Sequence, residues 1–89
     1  MEIAKLHNQL FCSGDIKLCA FLLCKQVELI EVVETSPNRY SFVLSNPEKC
    51  NELKKAYLNG AEAAAGQLFY FREILLDEVK NQQRYGGKP

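Results

Sequence analysis

Apolar residues recur at helical spacing in three stretches of the chain and mix with polar ones in strand-like fashion in two. Within residues 14–24, Ile16, Cys19, Ala20 and Leu23 stand at i, i+3, i+4 and i+7, while Leu18, Phe21 and Leu22 fill a second apolar face, which predicts a helix. Ser13 is a good N-cap for it, and Asp15 then sits in the first turn beside the positive end of the helix dipole. A helix that is apolar nearly all round is buried on more than one side. It either lies between a sheet and another helix or has one face covered by a second chain.

Residues 27–34 read V-E-L-I-E-V-V-E, and 39–45 read R-Y-S-F-V-L-S with Tyr40, Phe42 and Leu44 on one face. Both are strand patterns, rich in β-branched and aromatic residues. The turn formers Thr35-Ser36-Pro37-Asn38 between them predict an antiparallel hairpin. Alternation slips at Leu29-Ile30, which fits either a bulge or a strand covered on both faces.

Asn46-Pro47-Glu48 is a strong helix start: asparagine caps, proline tolerates the first helical position and glutamate meets the dipole. Cys50, Leu53, Ala56 and Tyr57 face inward, and Asn59-Gly60 supplies left-handed residues to end the helix. A third helix is predicted from Ala61 to about Gln83. Ala64, Leu68, Phe71, Leu75 and Val79 form one stripe on it, with Ala65, Phe69 and Leu76 beside. Gly66 weakens its first turns by about 1 kcal/mol relative to alanine. Upstream of all this, residues 10–12 form a short apolar run stopping at Ser13-Gly14-Asp15, the tail of a small strand. Ile3, Leu6 and Leu10 are helically spaced but uncapped, so residues 1–9 are a frayed turn or a flexible arm. The tail at 85–89 is expected to be disordered.

The pattern thus predicts an α+β fold of order (β)αββαα, a small antiparallel hairpin or three-stranded sheet packed against three helices, in one domain spanning 10–84. Eighty-nine residues suit one such unit;. With 47% hydrophobic and 25% charged residues, the chain is neither disordered nor collagen-like. A domain this small commits its large apolar residues to packing and rarely encloses a pocket of roughly 300–1,000 Å³ by itself. That counts against a stand-alone enzyme acting on a small molecule.

Eleven Lys and Arg balance eleven Asp and Glu, so no bulk electrostatic term favours nucleic acid or anionic lipid. The longest charge-free runs, 6–14 and 63–71, fall far below the roughly 20 residues of a membrane span, and no secretory leader is visible. A cytoplasmic protein is expected. Cys12, Cys19, Cys24 and Cys50 stand 7, 5 and 26 positions apart, which does not match the paired ligands of a structural zinc knuckle. Reduced cysteines acting as small buried hydrophobes suit a reducing compartment.

Ser13-Gly-Asp-Ile-Lys-Leu-Cys-Ala-Phe-Leu-Leu23, Arg39-Tyr-Ser-Phe-Val-Leu44, Ala56-Tyr-Leu-Asn-Gly60 and Phe69-Tyr-Phe-Arg72 follow one another in the chain. Over about residues 10–80 this series resembles a family of small uncharacterised bacterial and phage-associated proteins, a domain of unknown function. In that family a serine or threonine and an aspartate precede an apolar helix. A hairpin with a Phe- and Val-rich second strand follows, then a helix ending near a Tyr-Leu-Asn-Gly-like segment, then an aromatic, arginine-bearing helix. The resemblance implies the same element order and a cytoplasmic or phage-host setting, and it carries over no catalytic residue. The alanine-rich segment 61–65 departs from it, since a less regular connection is expected there. The start of the third helix is left open accordingly.

Catalytic and cofactor motifs are not legible. His7 is a lone imidazole with no serine or cysteine tied to it by a local motif. Glu28 and Glu34 would lie roughly 20 Å apart on a strand with Glu31 facing the other way, which reads as edge-strand charge rather than a carboxylate pair. The glycines match neither a Walker nor a dinucleotide pattern. No cofactor, metal or small-molecule substrate is therefore predicted.

The oddest feature is Leu68-Phe69-Tyr70-Phe71, four bulky residues spread around about one helical turn. Either Tyr70 alone is exposed and Phe69 and Phe71 both reach one core, or part of the cluster meets a second surface. The chain is accordingly expected to be a non-enzymatic interaction or regulatory module, a homodimer or a binder of another protein. Its contact residues would be Phe69, Tyr70 and Phe71, with Phe21 and Leu22 from the first helix. The alternative is a nucleic-acid-associated accessory protein using Lys49, Lys54 and Lys55, although acidic residues interleave with them.

Overall fold

The computed structural model of the chain describes residues 10–83, in the order β1 (Leu10–Ser13), α1 (Ile16–Cys24), β2 (Leu29–Ser36), β3 (Arg39–Ser45), α2 (Pro47–Leu58) and α3 (Ala65–Asn81). This is the predicted α+β arrangement with the three-stranded version of the sheet. The arm at 1–9 with His7, and the tail at 85–89, lie outside the described residues.

The strands form an antiparallel sheet of order β1-β3-β2. Phe11 pairs with Leu44 and Ser13 with Phe42 on one side of β3, and Val32 pairs with Phe42 on the other. This register gathers Phe11, Val32, Phe42 and Leu44 on one face, where they join the core. Two residues, Pro37 and Asn38, turn the hairpin, with Asn38 at φ +65°. Proline followed by a positive-φ residue is the pattern of a type II turn. The turn is therefore tighter than the four residues read from sequence, and β2 runs on to Ser36.

The slip at Leu29-Ile30 is a bulge: Leu29 pairs with Leu44 and Glu31 with Val43, leaving Ile30 as the extra residue. A bulge lets one residue leave the alternation, and Ile30 is 49% exposed.

Helix α1 is the centre of the core. Leu18 through Leu23 are all buried and cluster with residues of the sheet, with Cys50 of α2 and with Leu75 of α3. Of the two ways to cover an all-round apolar helix, the chain uses its own sheet and its own helices. The helix starts two residues later than predicted. Asp15, not Ser13, is the N-cap, its carboxylate accepting from the Lys17 and Leu18 amides at 3.0 and 3.2 Å. Ser13 instead accepts from the Asp15 amide at 3.1 Å. Gly14 between them lies so close to β3 that a Cβ there would sit 3.1 Å from the Tyr40 carbonyl oxygen.

Helices α1 and α2 end alike. In α1 the Val27 amide donates to the Leu22 carbonyl and Gln26 to Leu23; in α2, Ala61 donates to Ala56 and Gly60 to Tyr57. These are paired Schellman bonds around one left-handed residue, Gln26 at φ +72° and Gly60 at φ +91°. The first one uses Val27 as a buried closing residue, which is why β2 begins at Leu29 rather than at Val27.

Helix α2 starts as predicted: Asn46 caps it through Oδ1, which accepts from the Lys49 amide at 3.2 Å. Helix α3 does not start at Ala61. Residues 61–64 are irregular, and the helix begins at Ala65 with no side-chain cap. Its far end is tied to the sheet by Gln82, whose Nε2 donates to the Val32 carbonyl on the edge strand β2. Among the described residues no helix is long and apolar enough to cross a membrane.

Candidate protein interface

Helix α3 is held by Leu75, fully buried, and by the half-buried Leu68, Phe71 and Val79 against the core. With this stripe inward, a rotation of about 100° per residue turns the neighbouring aromatics out. Phe69 is 63% and Tyr70 60% exposed. Phe71 packs against the core while its ring meets Tyr70 edge-on at 5.1 Å. Phe69 therefore does not share the core with Phe71, and the cluster presents two aromatic side chains to the outside.

Phe21 and Leu22 belong elsewhere. They are 1% and 0% exposed, enclosed by the chain's own sheet and helices. Their expected place in an interface is corrected on that ground, since neither has surface left to offer.

Beside Phe69 lies a groove of about 240 Å³ lined by Lys17 and Ala20 of α1, Tyr57 of α2, and Leu68, Phe69 and Arg72 of α3. All three helices line it, and Ala20 is the smallest of its side chains. The Phe21 and Tyr57 rings pack at 5.2 Å and hold α2 against α1. Lys25 fastens the connection into α3: its Nζ lies 5.4 Å from the Phe21 ring centroid and donates to the Glu62 carbonyl at 3.4 Å. The walls are mostly carbon and the charged groups lining it, Lys17 and Arg72, are both cationic. Arg72 also lies 3.6 Å from Glu73, an exposed pair of the kind that contributes little to stability.

A second, polar hollow of about 480 Å³ is lined by Gly14, Thr35, Asn38, Arg39, Tyr40 and Ser41. Its groups are engaged in shaping the hairpin: the Asn38 amide donates to Glu34 at 3.3 Å, and the Thr35 hydroxyl to the Arg39 carbonyl at 3.4 Å. Glu34 thus braces the turn from within β2, while Glu31 pairs with Val43 on the opposite side of the strand.

The lysines of the alternative reading do not form a patch. Lys54 and Lys55 are exposed and Lys49 is half-buried. At about 100° per residue they lie roughly 140° and 120° around α2 from Lys49, so no single surface collects all three.

Cys19 and Cys50 are buried and reduced, with thiols directed at the Ser13 and Ser45 carbonyls at 3.8 and 3.3 Å. Burial pushes the Cys19 thiol up to about 12, and the Cys24 and Cys50 thiols upward as well. Such thiols act as packing groups, because the nucleophilic and metal-binding form is the thiolate. Among the described residues no three metal-ligating side chains come together.

Sequence reasoning found the exposed aromatics but not the groove, whose walls come from positions 17, 20, 57, 68, 69 and 72. Tyr57 read as an inward residue of α2 and Arg72 only as part of the aromatic, arginine-bearing segment; no local spacing signals that they meet. No protein-family model, curated protein or solved structure matches the chain.

Proposed function

We propose that this chain is a non-enzymatic protein-interaction or regulatory module that self-associates through the outer face of α3, in a bacterial or phage-associated cytoplasmic setting. The observation that carries the reading is the exposure of Phe69 and Tyr70 side by side on a helix whose inward stripe is already satisfied. Exposed aromatic pairs next to an apolar groove are the anchors from which interfaces draw most of their energy. A symmetric dimer is the commonest assembly of a soluble chain, and zero formal net charge puts no electrostatic barrier between copies. The nucleic-acid reading is weaker because its three lysines do not share a face.

Sedimentation at micromolar concentration tests the proposal. The wild-type chain should associate, and Phe69→Ser with Tyr70→Ser should be monomeric while keeping the wild-type circular-dichroism spectrum. A wild-type chain that is strictly monomeric sinks the self-association.

A further inference from the structure

The outer face of α3 carries both halves of a contact. One half is the groove, apolar in its walls and edged by the cations Lys17 and Arg72. The other is Phe69, exposed on the groove's lip, with Glu73 one turn further along the same side of the helix;. An apolar hollow beside positive charge, and an apolar knob beside negative charge, complement each other. Because one chain holds both side by side on one face, a two-fold axis can place each knob in the other chain's hollow, the self-complementary arrangement of an isologous interface.

Resting on the self-association proposed above, we infer that each protomer seats its Phe69 in its partner's groove and sets Glu73 against the partner's Lys17. The groove's size favours this occupant. At about 240 Å³ it is below the roughly 300–1,000 Å³ typical of drug-sized ligand sites, and suits a single side chain. The charges favour it too. Glu73 is paired within its own chain only by an exposed contact to Arg72, and Lys17 has no ion pair among the described residues. Neither gives up a strong internal bond on docking. Phe69 lies at the centre of such an interface and would be its anchor, while the Lys17–Glu73 contacts fix the register.

Charge exchange tests the seating. Lys17→Glu and Glu73→Lys are exposed changes, and each variant should keep the wild-type far-ultraviolet circular-dichroism spectrum. Each alone opposes like charges at both symmetry-related contacts. The dimer dissociation constant of either should rise at least about tenfold by sedimentation. Mixed one to one, the two variants restore opposite charges at both contacts, so a heterodimer of near wild-type affinity should form. Recovery on mixing establishes the seating. If wild type and both variants associate equally well, or if the variants lose association and mixing does not restore it, the seating is wrong while self-association stands. If wild type itself is monomeric, both fall.

Discussion

The rings of Phe21 and Tyr57 meet with centroids 5.2 Å apart and planes inclined by 49°, joining the fully buried heart of α1 to a side chain that walls the groove. Core and candidate interface are therefore mechanically continuous. Tilted aromatic pairs contribute about 0.5–1.5 kcal/mol beyond their buried area.

Tyr57→Leu, which keeps apolar bulk and loses the ring, should cost about 1 kcal/mol in denaturant unfolding. Phe21→Ala should cost about 3–5 kcal/mol, because it leaves a cavity in the middle of α1. Phe69→Ala, by contrast, should leave stability within about 0.5 kcal/mol of wild type when both are measured at concentrations low enough to be monomeric, as a surface change does. Comparable losses at Phe21 and Phe69 would contradict the division between core and interface.

Helix entry separates two side chains that look alike in sequence. Asp15→Ala removes the acceptor of two helix amides and should cost about 1 kcal/mol. Ser13→Ala removes only the contact to the Asp15 amide, which is exposed, and should cost clearly less. Equilibrium unfolding of the two variants decides which residue is the cap.

The two helix ends predict opposite signs for opposite substitutions. Gly60 sits at φ +91° with open space around it, so Gly60→Ala should destabilise by about 1–2 kcal/mol through backbone conformation alone. Gln26 occupies the equivalent place in α1 at φ +72° and already bears that cost. Gln26→Gly should therefore stabilise, by up to about 1 kcal/mol after glycine's extra chain entropy is counted. A matched pair of unfolding curves measures both.

Much of the fold was legible because its signals are local. Asn46-Pro47-Glu48 starts a helix and Asn59-Gly60 stops one wherever they occur, and Tyr40, Phe42 and Leu44 mark a strand face by alternation. The errors have tertiary causes. Ser13 and Asp15 are both good caps, and the choice between them follows from the chain passing Gly14 close over Tyr40 before α1 can begin. Ala61, Glu62, Ala63 and Ala64 are all strong helix formers;. They are nonetheless held out of α3 by the Schellman bond from Ala61 to Ala56 and by Lys25 reaching the Glu62 carbonyl. The apolar surplus of α1 was visible, but that the chain covers it with its own sheet and helices was not. Phe21 and Leu22 consequently moved from interface to core. Phe69 and Tyr70 did not, because with the inward stripe of α3 on the core they are left on its outer side, 63% and 60% exposed.

The buried thiols make stability depend on pH at the alkaline end. Cys19 is held protonated up to about 12, against an ordinary value of 9.0, chiefly by burial. The unfolded chain thus releases this proton before the folded one does, and between those two values it binds fewer protons than the native state. Stability must then fall as pH rises through that window, and Cys19 contributes no pH dependence below it. Cys50 and Cys24 are shifted in the same direction and add to the fall. Unfolding measured along a pH series should show a plateau below the ordinary thiol value and a decline above it. Cys19→Ala should start less stable but decline less steeply, because it removes one of the groups that titrates on unfolding. In native protein near neutrality an alkylating reagent should label the exposed Cys12 well before Cys19 or Cys50, which must wait for the core to open. An undiminished alkaline slope in Cys19→Ala, together with labelling of Cys19 as fast as Cys12, would show that α1 does not bury its thiol in solution.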